Sequence, residues 1–456
     1  MHDMMCGACI SLNLCPLLSQ GQIEALEYHA TEELQNLYLP KLISGEWTGT
    51  MNLTEPQAGS DVGALTSKAE LQADGTYKIS GQKIFITWGE HDVAENICHL
   101  VLARLPDGKS GPKGISLFLV PKFIPNADGS LGVRNDLRCV SLEHKLGIHG
   151  SPTAVMEFSG ATGWLVGQEH NGMACMFTMM NNARLAVGMQ GVGVAEGAYQ
   201  HALAYAMDRK QGRAMIADGT GAIIDHADVR RMLAQMKSEI FAARAIGVAC
   251  AVAIDMTKAT GDADWRARAA LLTPITKSFG SDTGVAVADL GVQIHGGMGF
   301  VEETAAAQYL RDVRITPIYE GTNGIQAMDL VARKMMDGGA AAFALMDEMV
   351  TLASASSSKL AVAVLASIVE LRSTTEWLLT QELNDRFAGA VAYQKAFARV
   401  LGGYFHLVAA MSGKGKRVRM ATIYINSLLP EYMALCAQAR SGAGDLYALE
   451  LDDFAA

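Results

Sequence analysis

The chain has 456 residues, enough for two or three domains and a large core. Half of its residues are hydrophobic and only 18% are charged, which excludes a disordered chain. A formal net charge of −10 argues against a nucleic-acid binder, and no apolar run in the sequence reads as a bilayer span.

In chain order, residues 1–18 are rich in Met, Cys and Leu without the basic start of a signal peptide, and they read as core-facing helix. Cys6 and Cys9 have the spacing of a metal-binding pair, but no second pair follows, so buried helical thiols are the expectation and no metal site is assigned. The eight cysteines lack disulfide-like regularity, which suits a reducing cytoplasm. Residues 20–39 predict an amphipathic helix carrying Leu26, Leu34 and Leu37, closed by Pro40.

From Gly49 the pattern changes to strands at 77–80, 83–87, 97–105, 115–120 and 155–158, with Asp74-Gly75 as a hairpin-type turn. Short strands with no helix between them predict a small antiparallel sheet or barrel. From about Gly172 the period is helical, with further helices near 229–256 and 271–290; Pro274 is expected early in the latter, where proline is tolerated. Asp337-Gly338-Gly339 marks a linker, and helices are expected beyond it at 360–371, 387–405 and 421–439.

The run Ile318-Tyr319-Glu320-Gly321-Thr322-Asn323 sets a lone carboxylate between an aromatic ring and a glycine. Thr322 is placed to cap a helix bearing Ile325, Met328, Leu330 and Val331. In a dry pocket Glu320 would have its pKa raised toward neutrality, as a general base needs; on an exposed turn it would be decoration. These six residues alone leave both readings open.

The run resembles the signature that carries the catalytic base in acyl-CoA dehydrogenases. Four other stretches resemble that family's motifs, in its order: Leu53-Thr54-Glu55-Pro56-Gln57-Ala58-Gly59-Ser60-Asp61, Gly81-Gln82-Lys83-Ile84-Phe85-Ile86-Thr87, Asp208-Arg209-Lys210-Gln211 and Gln293-Ile294-His295-Gly296-Gly297-Met298-Gly299. The resemblance implies an α+β chain: a truncated N-terminal helical domain (1–48), a central antiparallel β-barrel-like domain (49–168), a C-terminal four-helix bundle (169–336) and an additional helical extension (340–456). The extension resembles that of a bacterial branch that includes 3-methylmercaptopropionyl-CoA dehydrogenases.

By the same resemblance, Glu320 would take the α-proton of an acyl-CoA thioester while FAD accepts hydride from the β-carbon. The thioester carbonyl needs donors that stabilise developing negative charge, one of them the Glu320 backbone N–H. Met51, Leu53, Thr54, Phe85, Thr87, Thr322 and Gly324 are implied FAD contacts. Arg209, Gln211, Gln293 and Gly297 would meet the FAD of a neighbouring subunit, which implies a homodimer or homotetramer. Ser60, Arg184 and Gly321 would meet substrate. Read as bare residues, Phe85 is a strand core position, Ser60 a turn hydroxyl and Arg209 a solvated charge. His295 reads as a packing histidine. Gly212 stands where the family often has an aromatic. Ala183 stands where a subgroup places its base, so Glu320 has no rival carboxylate. Electron-transfer flavoprotein is the implied acceptor; an oxidase using O₂ and a flavin-free assembly subunit are the alternative readings.

Overall fold

The computed structural model describes every residue except Lys414 and Ala456. Contacts divide the chain into two compact units, Cys9–Ala183 and Met1–Ala8 with Arg184–Ala456.

The first unit holds most of α1 (His2–His29), then α2 (Glu32–Ser44) and the sheet. The helix expected over 20–39 is broken at Ala30–Thr31. The Gln35 side chain donates to the carbonyls of Leu26, Glu27 and Ala30, ending α1, and Thr31 accepts from Leu34 N to start α2. Pro40 does not close α2 but sits inside it, on an exposed face, and Gly45 in the left-handed region is the true stop.

The strands are β1 (Trp47–Asn52), β2 (Lys68–Leu71), β3 (Tyr77–Thr87), β4 (Asn96–Arg104), β5 (Ile115–Pro121), β6 (Phe123–Pro125), β7 (Leu131–Arg134), β8 (Leu137–Leu142) and β9 (Thr153–Val166). The order β4-β2-β3-β9-β5 returns to β4 and closes a barrel, with β1 added on β4 and β8 on β9. Most pairs are antiparallel, as expected; β1 and β4 are parallel, with Trp47 opposite Asn96 and Asn52 opposite Val101. The apolar runs of β4 and β5 are buried along almost their whole length, and Val101, Phe118, Met156 and Phe158 fill the barrel.

The second unit is helical: α3 (Gly172–Asp208, from Arg184 on), α4 (Ala227–Thr260), α5 (Ala263–His295), α6 (Ala306–Val313) and α7 (Asn323–Val331), followed by α8 (Ala340–Ser354), α9 (Lys359–Leu379), α10 (Leu383–Met411), α11 (Gly415–Ile423), α12 (Glu431–Ala439) and α13 (Gly444–Ala448). Pro274 lies well inside α5, not near its start, and the Gln394 amide of α10 donates to the Pro274 carbonyl at 3.1 Å. The helix expected over 421–439 is two helices, separated by a wide turn at Tyr424–Leu428 and by Pro430. Helix α10 packs on α4, α5 and α7, so Met236, Ile240, Ile275, Leu330, Phe397 and Leu401 share one core.

Glycine permits the close crossing of α3 and α5. A Cβ on Gly191 would lie 2.1 Å from the Gly280 carbonyl oxygen, and one on Gly280 would lie 2.3 Å from that of Gly188. Helices α1 and α4 are, by length and composition, long and apolar enough to cross a bilayer, which corrects the expectation that no such run exists. Helix α4 spends part of that apolar surface on the helical core, through Met236, Ile240 and Ile246.

Candidate active site

Glu320 lies in the turn between α6 and α7, in the second unit. Its φ is +56° and that of Gly321 is +81°, two left-handed residues in succession. Only the second is a glycine, so the turn holds Glu320 in a conformation that costs about 1–3 kcal/mol and needs support from its surroundings. That support is visible. The Tyr319 hydroxyl donates to Gln190 of α3, Asn323 N donates to the Pro317 carbonyl at 3.0 Å, and the Gln326 amide donates to the Glu320 carbonyl at 3.3 Å. Thr322 accepts from Ile325 N at 3.2 Å and caps α7, as its place in the sequence predicts.

Glu320 is partly buried, and burial pushes its carboxyl pKa up to about 7, against the opposing pull of Arg184 and Lys277. Arg184 is buried on α3, where loss of water lowers its pKa while Asp329 and Glu320 raise it. Lys277 of α5 is fully buried; burial lowers its pKa to about 8, although Glu320 and Asp282 favour its charge. The Lys277 ammonium donates to Asn323 Oδ1 at 2.9 Å. Sequence reasoning passed over Lys277, Asn323 and Gln190 as site residues. The available signal was a single lysine in the apolar and hydroxyl-bearing run 271–287.

Arg209, Gln211, Gln293 and Gly297 are all exposed. Tyr205 stacks on His295 at 4.3 Å between ring centroids, which brings the C-terminal ends of α3 and α5 together, so these four residues emerge from one end of the unit. The Gln211 carbonyl is bonded to His226 at 2.8 Å, and Ile223 N donates to the Arg209 carbonyl at 2.7 Å, so backbone bonds fix this segment. His295 is buried, with Nδ1 2.7 Å from the Gly291 carbonyl, in keeping with its packing role.

The remaining candidates lie in the barrel unit. Ile84 N donates to the Thr54 carbonyl at 2.9 Å, and buried Lys83 donates to the Leu53 carbonyl at 3.2 Å. These bonds run the segment after Met51 alongside β3, next to Phe85 and Thr87. Phe85 has φ +60° and is 59% exposed, although Lys83 and Ile86 on either side are buried. An aromatic ring held outward on strained backbone beside an ordered chain segment fits a flat, ring-shaped cofactor, and Met51, Leu53, Thr54 and Thr87 border it. The core reading of Phe85 is therefore set aside. Ser60 sits on an exposed turn, and among the described residues no hydrogen bond ties it to this group. Glu55, which carried no role in the sequence reading, accepts from Lys83 at 2.7 Å, Ser67 Oγ at 2.6 Å and Thr66 N at 2.7 Å and so anchors the same segment.

A barrel presenting an exposed aromatic and a helical unit presenting a near-neutral carboxyl together define the class of fold that the motifs implied. Family descriptions match most of the chain from residue 50 onward: "Acyl-CoA dehydrogenase, middle domain" over residues 50–161, "Acyl-CoA dehydrogenase, C-terminal domain" over 170–336 and "Acetyl-CoA dehydrogenase C-terminal like" over 342–450. The chain belongs to the acyl-CoA dehydrogenase family.

Among its relatives, the 3-methylmercaptopropionyl-CoA dehydrogenase of Ruegeria pomeroyi is 53% identical over 343 residues, covering 74% of this chain and 58% of that protein. An acyl-CoA dehydrogenase of Bacillus subtilis is 33% identical over 318 residues, covering 68% of this chain and 74% of that one. A structure of acyl-CoA dehydrogenase from Bacillus anthracis complexed with FAD superposes with a TM-score of 0.73 at 22% identity, covering 93% of this chain and 73% of that one, and shares the fold. The chain thus spans a little under three-fifths of the length of the Ruegeria relative.

Proposed function

We propose that this protein oxidises an acyl-CoA thioester to the trans-2-enoyl-CoA, with Glu320 as the base. The observation that carries the proposal is the Glu320 carboxyl, held in a left-handed turn with a pKa of about 7. A carboxyl at that value is about half ionised at neutral pH, and its carboxylate form is basic enough to accept a proton in the transition state. The α-proton of a thioester is too weakly acidic for such a base unless the carbonyl oxygen is stabilised. The Glu320 backbone N–H is the proposed donor from this chain, and Gly321 next to it lets a thioester approach without meeting a Cβ.

FAD, when bound, supplies the two-electron oxidation by taking hydride from the β-carbon. In this reading Met51, Leu53, Thr54, Phe85, Thr87, Thr322 and Gly324 would be the residues that hold FAD. Arg209, Gln211, Gln293 and Gly297 serve the FAD of a neighbouring copy, so the working unit is a homodimer or homotetramer. Arg184 and Ser60 meet the CoA portion of the substrate. Electron-transfer flavoprotein is the acceptor, and the cytoplasm, where eight free cysteines persist, is the compartment. The Ruegeria relative makes 3-methylmercaptopropionyl-CoA one substrate to try, beside medium and long fatty acyl-CoAs.

The test is anaerobic titration of the purified, FAD-supplemented protein with a panel of acyl-CoAs, followed by admission of air. Bleaching of the flavin absorbance by at least one acyl-CoA, with slow recovery in air, is expected. No bleaching by any of them would overturn the proposal, and rapid recovery in air would make the protein an oxidase.

A further inference from the structure

Lys277 is one of two lysines with no solvent exposure among the described residues, and its ammonium donates to a neutral amide, Asn323 Oδ1. A fully buried ammonium needs compensation, since leaving such a charge unpaired costs several kcal/mol. Asn323 gives it a dipole and nothing more. The rest of the amide is used on α5: Nδ2 donates to Asp282 Oδ1 at 2.7 Å and lies 3.0 Å from Ser281 Oγ. The orientation of the amide follows, with its oxygen toward the lysine and its nitrogen toward the carboxylate.

Asn323 is the first residue of α7, three residues beyond Glu320. Its side chain therefore fixes where α7 starts relative to α5, and with it the turn that presents the base. An aspartate at this position would cancel the lysine and repel Asp282. An amide leaves the lysine charge uncancelled; Glu320, three residues before the Asn323 that holds the ammonium, and Asp282, bonded to the same amide, are the carboxylates that favour its charge. The charges of Arg184 of α3 and Lys277 of α5 act on Glu320, Glu320 in turn acts on the neighbouring Tyr319 hydroxyl, and Arg184 also disfavours the Lys277 charge. Arg184 also meets Asp329 of α7 and Arg333 just beyond it. Asp282 meets Lys395 of α10, Lys277 and Arg314.

Resting on the dehydrogenase reading above, we propose that Lys277 and Asn323 are positioning residues of the base: the uncancelled lysine charge is directed at the Glu320 carboxylate, and the Asn323 amide fixes the turn that carries it. Without Lys277 the carboxyl would hold its proton to higher pH, because only Arg184 would remain to oppose burial. The pair thus keeps a substantial share of the base ionised near neutrality.

Glutamate-labelled protein followed by NMR, with Glu320→Gln identifying the resonance, reports the Glu320 titration directly. Lys277→Met is expected to raise its midpoint by about one pH unit or more, and Lys277→Arg to bring most of it back. Asn323→Ala, which keeps the lysine but frees it and the turn, is expected to give a smaller rise. It should also slow flavin bleaching by acyl-CoA about tenfold or more, with KM little changed. An unmoved midpoint in folded, flavin-retaining Lys277→Met overturns the proposal; should that variant not fold, an unmoved midpoint in Asn323→Ala does so. The dehydrogenase reading fails separately, by absence of bleaching in the unmodified protein, and the titration still judges the pair.

Discussion

The two fully buried lysines make an instructive pair. Lys83, on strand β3, faces Glu55 at 2.7 Å, and that carboxylate also accepts from Gln57, Thr66 and Ser67. Burial would raise the Glu55 pKa, but the Lys83 charge and these hydrogen bonds hold it down to about 2. The pair is electrically closed: its charges cancel locally, and it fastens the Leu53 segment to β3. Lys277 on α5 has the same burial and a neutral partner, so its charge reaches outward to a second carboxyl, Glu320. Burial alone does not say whether a lysine fastens or tunes; the charge of its nearest partner does.

The strongest way to break the comparison is to neutralise the carboxyl on the tuning side. Glu320→Gln is expected to keep FAD bound and to slow flavin bleaching by roughly 10²- to 10⁴-fold or more, read by stopped-flow absorbance. Bleaching at a near-normal rate would take Glu320 out of the mechanism and leave Lys277 with nothing to tune. On the fastening side the matching change is Lys83→Met. It strands a buried carboxylate and should cost about 3–5 kcal/mol of stability, read by denaturant unfolding. Pairing it with Glu55→Gln should recover much of that loss, since the cost comes from the unpaired charge. The Glu55 pKa lies below its unfolded value of 4.5, so its stabilisation is present above about pH 4.5 and is lost as pH falls toward 2.

The contrast between the two lysines is only half legible in the sequence. Glu320, Gly321 and Thr322 could be read as a turn with a helix cap, because their chemistry is local. Lys83 stood inside a recognised motif, but its partner Glu55 is 28 residues away, and only the folding of β3 back along the Leu53 segment joins them. Lys277 and Asn323 are 46 residues apart and meet because α5 packs against α7, a tertiary contact that no local pattern encodes. Prolines misled in both directions. Pro40 and Pro274 sit inside helices, and Pro430 divides one expected to be continuous. The strands β2, β6 and β7 are too short to show a period, and the parallel pairing of β1 with β4 joins segments far apart in sequence, which no local pattern encodes.

A gentler perturbation titrates the tuned carboxyl without changing it. With a pKa of about 7, Glu320 passes from mostly protonated to mostly ionised across neutrality. Protonation removes the base, so the rate of flavin reduction should rise with pH through about 7 and level off above about pH 8. A rate that is flat between about pH 5 and 8 would return Glu320 to the ordinary carboxylate range, and with it the claim that burial outweighs Arg184 and Lys277.

The smallest effect is expected at a third lysine, which separates buried charge from charge that is merely nearby. Lys395 of α10 lies 3.8 Å from Asp282, the carboxylate that receives the Asn323 amide, but its side chain is half exposed. Water screens a pair of this kind, and such pairs contribute about 0–1 kcal/mol. Lys395→Ala should therefore change stability by less than about 1 kcal/mol and leave the Glu320 titration where it was. If the midpoint moved as far as in Lys277→Met, the field at the base would have to come from the whole rim of α5 and α10, and the distinction between a fastening lysine and a tuning one would fall. An unmoved midpoint in the Lys395 variant, beside a shifted one in the Lys277 variant, assigns the effect to the ammonium that water cannot reach.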